Sequence, residues 1–375
     1  MEIAFHIQDP TCEDTTYLYE AILTAAQGAA TWRGVYAFAS LDGVNWLFQD
    51  PVIDQLITSG GEIDLLIGLD AITNRQTLER LQELEQGNSH FRPRVFWNEV
   101  FSLFHPKISE FTYPDGGHTL IVGSGNLTPG GLMNNLEAYT TVSADSSEEI
   151  DVSSLDEFLK RHSAAIRSID DEVLARAEQN LIRRVTQGTQ AGRVSISSPP
   201  RTHRPVRLAP TSTGSGVARM DRILIAQVPR AGGRWSQIHF NADVVREYFR
   251  LVDFGTQRVY LSQVGPNGAR SDEEVRPLVY SSTNRNPKIE FRAALGRGYP
   301  ASSPVLVLRE RQIRAFDYIL LFPGDAGYNE AVGLTRALPS VGKGMPRVIT
   351  DMETLQGTWA ACPLLASEAE DIQLV

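Results

Sequence analysis

A long segment without acidic residues divides the chain and constrains its fold more than any other feature. No Asp or Glu occurs between Glu178 and Asp221, and residues 185–218 are rich in Gly, Ser, Thr and Pro with little apolar periodicity. This composition indicates a linker, because it offers few apolar side chains for a core. We therefore expect two domains, over residues 1–184 and 219–375, each with its own core.

The two parts carry opposite charges. Residues 1–182 contain 28 acidic and 10 basic side chains, residues 183–350 contain 12 and 25, and the last 25 residues add five acids and no base. The net charge of −10 is thus an average over an acidic first part, a basic second part and an acidic tail. A basic domain is what affinity for a phosphate backbone requires, although two domains can also differ in charge without that role.

The sequence also bears on location. It contains no apolar run long enough to cross a bilayer, and its first residues lack the basic and apolar regions of a secretory signal. The two cysteines, Cys12 and Cys362, form neither a metal knuckle nor a disulfide framework. These features predict a cytoplasmic protein without a membrane partner.

Short apolar segments alternate with amphipathic segments along the first part. This alternation predicts an α/β domain in which a mixed sheet is flanked by helices. Helices are expected over residues 44–58, 74–86 and most of 152–184. Strands are expected over residues 35–40, 62–70, 94–97, 107–113, 120–122 and 137–142.

The second part has a different pattern, in which short strands follow one another between turns. Strands are expected over residues 223–227, 259–263, 275–280, 288–291, 305–308 and 318–322. One helix is expected over residues 242–251. Several short strands at this spacing predict a mainly β domain, either a small barrel or a sandwich.

Two short sequences in the first part carry chemically useful side chains. His105 and Lys107 are two residues apart on an extended segment, so their side chains face the same side. The sequence Gly-Ser-Gly-Asn then places Ser124 and Asn126 at the end of the next strand, and Glu137 lies on another. The glycines would let the backbone approach a ligand closely.

These side chains suit a phosphodiester substrate. An imidazole can act as a nucleophile or as an acid and base, an amine is a fixed cation, and Ser and Asn supply neutral donors. Such groups stabilise the negative charge that gathers on the phosphoryl oxygens in the transition state. No carboxylate cluster or His pair at metal-ligand spacing accompanies them, so we expect no metal and no other cofactor.

His-x-Lys followed by Gly-Ser-x-Asn, 19 residues after His105, resembles the active-site motif of the phospholipase D superfamily. The resemblance covers about residues 30–180. It implies that one histidine attacks phosphorus to form a phosphohistidine while another protonates the leaving oxygen, with the phosphate held by Lys107, Asn126 and Ser124. Only one of the seven histidines begins a His-x-Lys. The resemblance therefore implies a homodimer, joined through the catalytic domain, with one composite site.

One position departs from the motif of that superfamily. The motif has an Asp five residues after the Lys, where this chain has Thr112, and the next Asp is Asp115. Nuclease-like members often lack this Asp, so the departure favours a nuclease over a lipid enzyme. It leaves open which group orients His105, and Glu137 is the candidate for that role.

The second part resembles the B3-like DNA-recognition domain of some restriction endonucleases, in residues 223–241, 304–311 and 317–327. Such a domain is a β pseudobarrel that holds the major groove of DNA between two arms. The resemblance assigns to the first arm Arg230, Arg234, Trp235, Gln237 and Asn241, and to the second Ser282, Asn284, Arg285, Asn286 and Lys288. Arg, Asn and Gln read guanine and adenine edges. Polar turn residues are the alternative, and Trp235 fits a core equally well.

Together these features predict a metal-independent, type II-like restriction endonuclease for double-stranded DNA, with type IIS enzymes as the analogy for separate reading and cutting domains. The alternatives are a phospholipid phosphodiesterase of the same superfamily, a non-catalytic DNA-binding module, and a nuclease subunit of a larger complex. A partner translocase or methyltransferase would be a separate chain; in particular, no Gly-x4-Gly-Lys-Ser/Thr loop occurs here. The basic segment 185–218 is either a simple tether or a contact to DNA or to the acidic domain.

Overall fold

The computed structural model describes six stretches of the chain, residues 1–70, 72–98, 103–180, 222–230, 234–280 and 287–366. The chain divides into two compact units. The first comprises Met1–Pro10 and Thr15–Gly216, and the second comprises Thr11–Asp14 and Val217–Val375. The whole of the predicted linker, residues 185–218, lies outside the described residues. No helix in the described stretches is long and apolar enough to span a membrane.

An eight-stranded sheet forms the centre of the first unit. Its strands are β1 (Glu2–Gln8), β2 (Thr31–Tyr36), β3 (Glu62–Gly68), β4 (Phe91–Phe96), β5 (Lys107–Thr112), β6 (His118–Gly123), β7 (Glu137–Ala144) and β8 (Ile166–Ser168). Their order across the sheet is β1-β7-β6-β5-β2-β3-β4-β8. Strands β2, β3 and β4 are parallel and the other neighbours are antiparallel, so the expected mixed sheet is present.

Helices connect these strands and cover parts of both faces. They are α1 (Leu18–Ala26), α2 (Leu41–Phe48), α3 (Pro51–Thr58), α4 (Arg75–Gly87), α5 (Ser153–Arg161) and α6, over residues 171–180. On one face, the buried Trp32 of β2 stacks with Phe48 of α2 and Phe111 of β5. On the other face, α5 packs its apolar residues on the β2, β3 and β4 region. The first unit is therefore layered, with helices on either side of a sheet.

The sequence predicted one helix over residues 44–58, and the structure has two. Asp50 separates them: its Oδ1 accepts a hydrogen bond from the backbone N of Val52 at 2.9 Å, which caps the start of α3. Pro51 occupies the first turn of α3, where its missing N–H costs nothing. The same proline ends the preceding helix, because it cannot donate to a carbonyl one turn earlier.

Two other parts of the first unit differ from the sequence prediction. Strand β1 and helix α1 were not predicted. The mostly helical segment expected over residues 152–184 is interrupted by β8, which pairs antiparallel with β4. This pairing completes the edge of the sheet, so a tertiary contact overrides the local helical preference.

The second unit contains two sheets. The six-stranded sheet has the order β12-β11-β16-β15-β9-β17 and the three-stranded sheet the order β10-β14-β13. The strands are β9 (Arg222–Gln227), β10 (Gln237–His239), β11 (Arg258–Gln263), β12 (Glu274–Pro277), β13 (Val279–Tyr280), β14 (Pro287–Glu290), β15 (Val305–Gln312), β16 (Ala315–Leu321) and β17 (Arg347–Asp351). The helices are α7 (Ala242–Glu247), α8 (Tyr328–Ala337), α9 (Met352–Thr358) and α10 (Pro363–Ala366).

Strand β9 shows how the six-stranded sheet is buried on both faces. Leu224 and Ala226 face a core that the three-stranded sheet also enters, whereas Ile223 and Ile225 pack with residues of α8 and α9. The second unit is mainly β, as expected, although α8 and α9 were not predicted. Its described strands form two sheets. The B3-like pseudobarrel that the resemblance implied stays a prediction.

Replacing Asp50 with Ala tests the start of α3. Asp50 is buried, and its Oδ2 also accepts a hydrogen bond from the Tyr19 hydroxyl at 3.0 Å. We expect the free energy of unfolding, measured by urea denaturation, to fall by about 2 kcal/mol because a cap and a buried hydrogen bond are both lost. Gln55→Ala, at an exposed position of α3, is the control. Equal losses in both variants would contradict the capping role.

Candidate active site

His105 and Lys107 lie at the beginning of β5. Lys107 is its first residue and pairs with Tyr36 at the end of β2. The Lys107 side chain is buried, whereas His105 is exposed. The rings of His105 and Phe38 meet edge to face, with their centroids 5.7 Å apart. The structure therefore presents the imidazole at the surface and keeps the amine behind it.

Packing of the preceding residue positions His105. Phe104 stacks on Phe96, the last residue of β4, with ring centroids 4.2 Å apart and planes 8° from parallel. A Cβ atom added to Gly68 would lie 2.9 Å from the Phe104 ring and 2.4 Å from the carbonyl oxygen of Ala37. Gly68 thus leaves the room that Phe104 needs to cross the end of β3.

The amine of Lys107 contacts the ring of His105 directly. Its Nζ lies 2.8 Å from His105 Nδ1 and donates to the His105 carbonyl oxygen at 3.0 Å. Burial lowers the pKa of Lys107, against the opposing influence of Glu137. Burial and the charge of Lys107 lower the pKa of His105. Both groups therefore release their protons more readily than free side chains do, which suits a pair that exchanges protons with a substrate.

The loop that follows β6 is held by close backbone packing. A Cβ atom on Gly125 would lie 2.5 Å from the carbonyl oxygen of Gly131, and one on Gly131 would lie 2.3 Å from the backbone N of Asn126. Gly131 belongs to a π-helical turn, Gly130–Asn134. We expected the motif glycine to admit a ligand, and the structure instead uses Gly125 to bring two segments of the fold together.

Asn126 is anchored to the segment that follows β2. Its Oδ1 accepts a hydrogen bond from the backbone N of Phe38 at 3.2 Å, and Leu127 N donates to the Phe38 carbonyl oxygen at 3.2 Å. The bond occupies the amide oxygen, so the Nδ2 group is the end that can donate to a ligand.

Ser124 and Glu137 form a second contact pair. The Ser124 hydroxyl donates to Glu137 Oε2 and accepts from the backbone N of Ala138 at 3.0 Å, while Asn135 Nδ2 donates to Glu137 Oε1 at 3.2 Å. Within the described stretches, Glu137 makes no hydrogen bond to His105. Glu137 was the candidate group to orient His105. In the structure Lys107 contacts His105 Nδ1, and Glu137 acts on the site through Ser124 and through the charge of Lys107.

The missing motif Asp has a simple structural account. Thr112 lies at the other end of β5 from Lys107, where its Oγ1 is 2.6 Å from Oγ1 of Thr31. Five residues of strand span about 16 Å, so no side chain at this position reaches His105. Asp115 accepts from the backbone N of Gly117 in the turn between β5 and β6. Neither position belongs to the site.

The described residues thus place an imidazole, an amine, a hydroxyl and an amide at one edge of the sheet. Sequence reasoning missed Phe38, which contacts both His105 and Asn126. Its signal was its place just after the parallel strand β2, since segments at the carboxyl ends of parallel strands form sites. Within the described stretches, no group of three or more His, Cys, Asp and Glu is placed to hold a metal ion.

In the second unit, two of the predicted DNA contacts have structural roles. Trp235 is buried, donates from Nε1 to the Arg297 carbonyl oxygen at 2.7 Å and packs edge-on against aromatic rings, so it is a core residue. Asn241 caps α7 by accepting from the backbone N of Val244 at 2.8 Å, and its Nδ2 donates to the Val341 carbonyl oxygen at 2.8 Å. Both ends of this amide are engaged within the fold.

Other predicted contacts lie at the surface. Arg230 and Arg234 are exposed. Ile238 of β10 and its partner Ile289 of β14 are buried. Gln237 and Lys288 are each one residue away in these strands, so they lie on the opposite, outward face of the three-stranded sheet. This face also includes His239, the partner of Lys288, which sequence reasoning missed. Four predicted contacts lie outside the described residues: Ser282, Asn284, Arg285 and Asn286.

Replacing Lys107 with Met tests the electrostatic coupling at the site. We expect the pKa of His105 to rise, because the charge that lowers it is removed. Titration of the His105 ring signals by NMR measures this directly. Arg92→Met is the control, because it removes a positive charge at the far end of the sheet, where Arg92, the second residue of β4, pairs with Glu62. An unchanged or lower His105 pKa in Lys107→Met would contradict the coupling.

No family model matches the sequence, and no curated protein matches it. Among solved structures, NucT from Helicobacter pylori is 11% identical and covers 45% of this chain and 99% of its own, with a TM-score of 0.33. A phospholipase D family member, Nuc from Salmonella typhimurium, is 16% identical over 45% and 99%, with a TM-score of 0.32. Yeast tyrosyl-DNA phosphodiesterase is 13% identical over 47% and 41%, with a TM-score of 0.31. At these values the activity of none of them carries over to this chain.

Proposed function

We propose that this protein is a phosphodiesterase of the phospholipase D type that hydrolyses double-stranded DNA through His105. The observation that carries the proposal is the contact of Lys107 Nζ with His105 Nδ1, at 2.8 Å, beside the Ser124–Glu137 pair and Asn126. These are the groups that hydrolysis of a phosphodiester requires: a nucleophile, a cation and neutral donors.

The reaction takes place in two displacements. In the first, Nε2 of one His105 attacks phosphorus, an N–P bond forms, and the bond to the leaving oxygen breaks as that oxygen takes a proton from a second histidine. In the second, the deprotonated second histidine removes a proton from water, whose oxygen attacks phosphorus and breaks the N–P bond. Lys107, Asn126 and Ser124 hold the non-bridging oxygens.

The Lys107–His105 contact supports both histidine roles. When Lys107 is an ammonium it donates to Nδ1, and a neutral ring then carries its proton on Nε2 and has no lone pair there for attack. When Lys107 is a neutral amine it accepts from Nδ1–H, so Nε2 of a neutral ring has the free lone pair of a nucleophile and Nε2–H of a protonated ring can act as the acid. The lowered pKa of Lys107 brings these two arrangements closer in free energy.

A second copy of this chain is the source of the second histidine, because the sequence has one His-x-Lys. An uncovered apolar face supports this. Strands β1, β7 and β6 are neighbours, and Ile3, Phe5 and Ile7 of β1 point to the same face as Val122 of β6. These four side chains are 43–69% exposed, and Leu136, beside Glu137, is 74% exposed. An isologous interface on this face would bury them beside the Ser124–Glu137 pair.

DNA is the substrate we favour, because the second part of the chain is basic and its Arg230, Arg234, Gln237 and Lys288 lie at the surface. A unit that reads sequence through such side chains would deliver the cutting unit to a site and make the protein a restriction endonuclease. The apolar face offers the rival reading, in which the substrate is a phospholipid at a membrane surface.

Incubation with plasmid DNA in EDTA tests the proposed function. We expect discrete fragments from the wild type and a loss of activity of roughly 10³-fold or more in His105→Ala, since the nucleophile and the acid are both removed. His90→Ala, at an exposed position in the turn before β4, is the matched control. A radiolabelled DNA strand that stays attached to wild-type protein after a neutral quench would identify the phosphohistidine.

The other outcomes of this experiment are equally informative. A smear that is lost in His105→Ala keeps the nuclease and overturns sequence reading by the second unit. Intact DNA, together with hydrolysis of phosphatidylcholine vesicles, replaces the nuclease by a phospholipid phosphodiesterase. Equal activity in His105→Ala and His90→Ala overturns the proposed chemistry.

Mixing wild-type chains with His105→Ala chains tests the composite site. If each site needs His105 from both copies, a 1:1 mixture that is unfolded and refolded together retains about one quarter of the wild-type activity per total protein, whereas independent sites retain about one half. Sedimentation of Phe5→Glu tests the interface, because a charge at the centre of the apolar face should yield monomers. A dimeric Phe5→Glu would place the interface elsewhere.

A further inference from the structure

The acidic first unit needs a way to hold a polyanion at its active site. Residues 1–182 have 28 acidic and 10 basic side chains, and most of the arginines described in this unit form ion pairs with carboxylates. Unpaired cations near the site are therefore informative, since they alone offset repulsion between the unit and a phosphate backbone.

Trp97 gathers two cations at the edge of the sheet that carries the site. It follows Phe96 at the end of β4, and its indole ring has the Arg167 guanidinium carbon 4.4 Å and the Arg176 guanidinium carbon 4.9 Å from its centroid. Arg167 lies in β8, and Arg176 lies in α6. Cation–π contacts of this kind hold a guanidinium at a fixed angle while its N–H groups remain donors.

The two arginines differ in how their charges are balanced. Arg167 is paired with Asp170 and Glu172, at 3.0 and 2.7 Å. Arg176 donates to the Asn98 carbonyl oxygen at 3.2 Å, and no carboxylate in the described stretches lies within salt-bridge distance of it. Its charge is therefore the one that an approaching anion meets.

Aromatic packing joins the segment that carries Trp97 to the segment that carries His105. Trp97 follows Phe96 in sequence, His105 follows Phe104, and the rings of Phe96 and Phe104 are stacked at 4.2 Å. Trp97 and His105 therefore each follow one member of the same stacked pair, at the same edge of the sheet.

From this juxtaposition we propose that Trp97, Arg167 and Arg176 form a phosphate shelf, which binds the DNA backbone next to the phosphodiester that His105 attacks. The proposal rests on the proposed function and adds a substrate contact to it. Arg176 donates to a phosphate oxygen, and Trp97, whose ring also contacts Arg167, holds the Arg176 guanidinium. The shelf positions substrate and takes no part in bond breaking.

Arg176→Gln tests the shelf in the full-length protein, with Arg92→Gln as the matched control. Arg92 is exposed and lies near the start of β4, whereas Trp97 follows the end of that strand. We expect Arg176→Gln to lower kcat/KM for a short DNA duplex about tenfold, mainly through KM, and Arg92→Gln to change it less than twofold.

A second measurement separates a phosphate contact from a loss of shape. Binding of the same duplex is followed against salt concentration in a His105→Ala background, with and without Arg176→Gln. Loss of one phosphate contact reduces the slope of log K against log salt by about 0.9. Trp97→Leu should reduce the slope in the same direction, because the guanidinium loses its support.

Each outcome decides the proposal. A lower kcat/KM with a reduced salt slope supports the shelf. Equal behaviour of Arg176→Gln and Arg92→Gln overturns it, and so does a lower kcat/KM with an unchanged slope. If the wild type binds DNA but does not cleave it, the proposed nuclease fails, and the salt slope still decides the shelf.

Discussion

Strand β5 is hydrogen-bonded to β2 on one side and to β6 on the other, and the site depends on this double pairing. Both pairings are antiparallel, so the start of β5 lies beside the ends of its two neighbours. The segments that carry Phe38, His105 and Asn126 therefore meet at one edge although they are far apart in sequence. A shift of β5 by one residue would turn Lys107 to the opposite face and dismantle the site.

Burial of Lys107 gives the site its electrostatic character. A buried ammonium is costly unless partners accept hydrogen bonds from it. Here the His105 carbonyl oxygen and ring nitrogen accept them, and Glu137 acts through its charge. The result is a local cation inside a unit that is otherwise strongly acidic. Glu137 is tied to Ser124 and Asn135, so it moderates this cation without competing for the imidazole.

The sequence predicted which side chains form the candidate site better than it predicted which atoms those side chains contact. His105, Lys107, Ser124 and Asn126 were selected by residue type and spacing, and the fold brings their segments to one edge. Which group contacts His105 Nδ1 was not predictable, because it depends on the path of a buried lysine. In the second unit, residue type did not separate packing from recognition for Trp235 and Asn241, since a large ring and a capping amide serve either role. Strand β8 was missed because pairing, and not local pattern, makes it a strand. Strand β1 does carry a local pattern, the alternating Ile3, Phe5 and Ile7, which sequence reasoning did not use.

The packing of Gly125 against Gly131 bears on what a sequence motif can report. Neither residue tolerates a side chain, because a Cβ atom at either would meet backbone atoms of the opposing segment. Selection to keep the fold would thus preserve the second glycine of Gly-Ser-Gly-Asn even in a descendant that had lost catalysis. In such lineages the glycine is a record of architecture, whereas the buried lysine beside an exposed imidazole, a costly arrangement without a substrate, is the part whose retention speaks for chemistry.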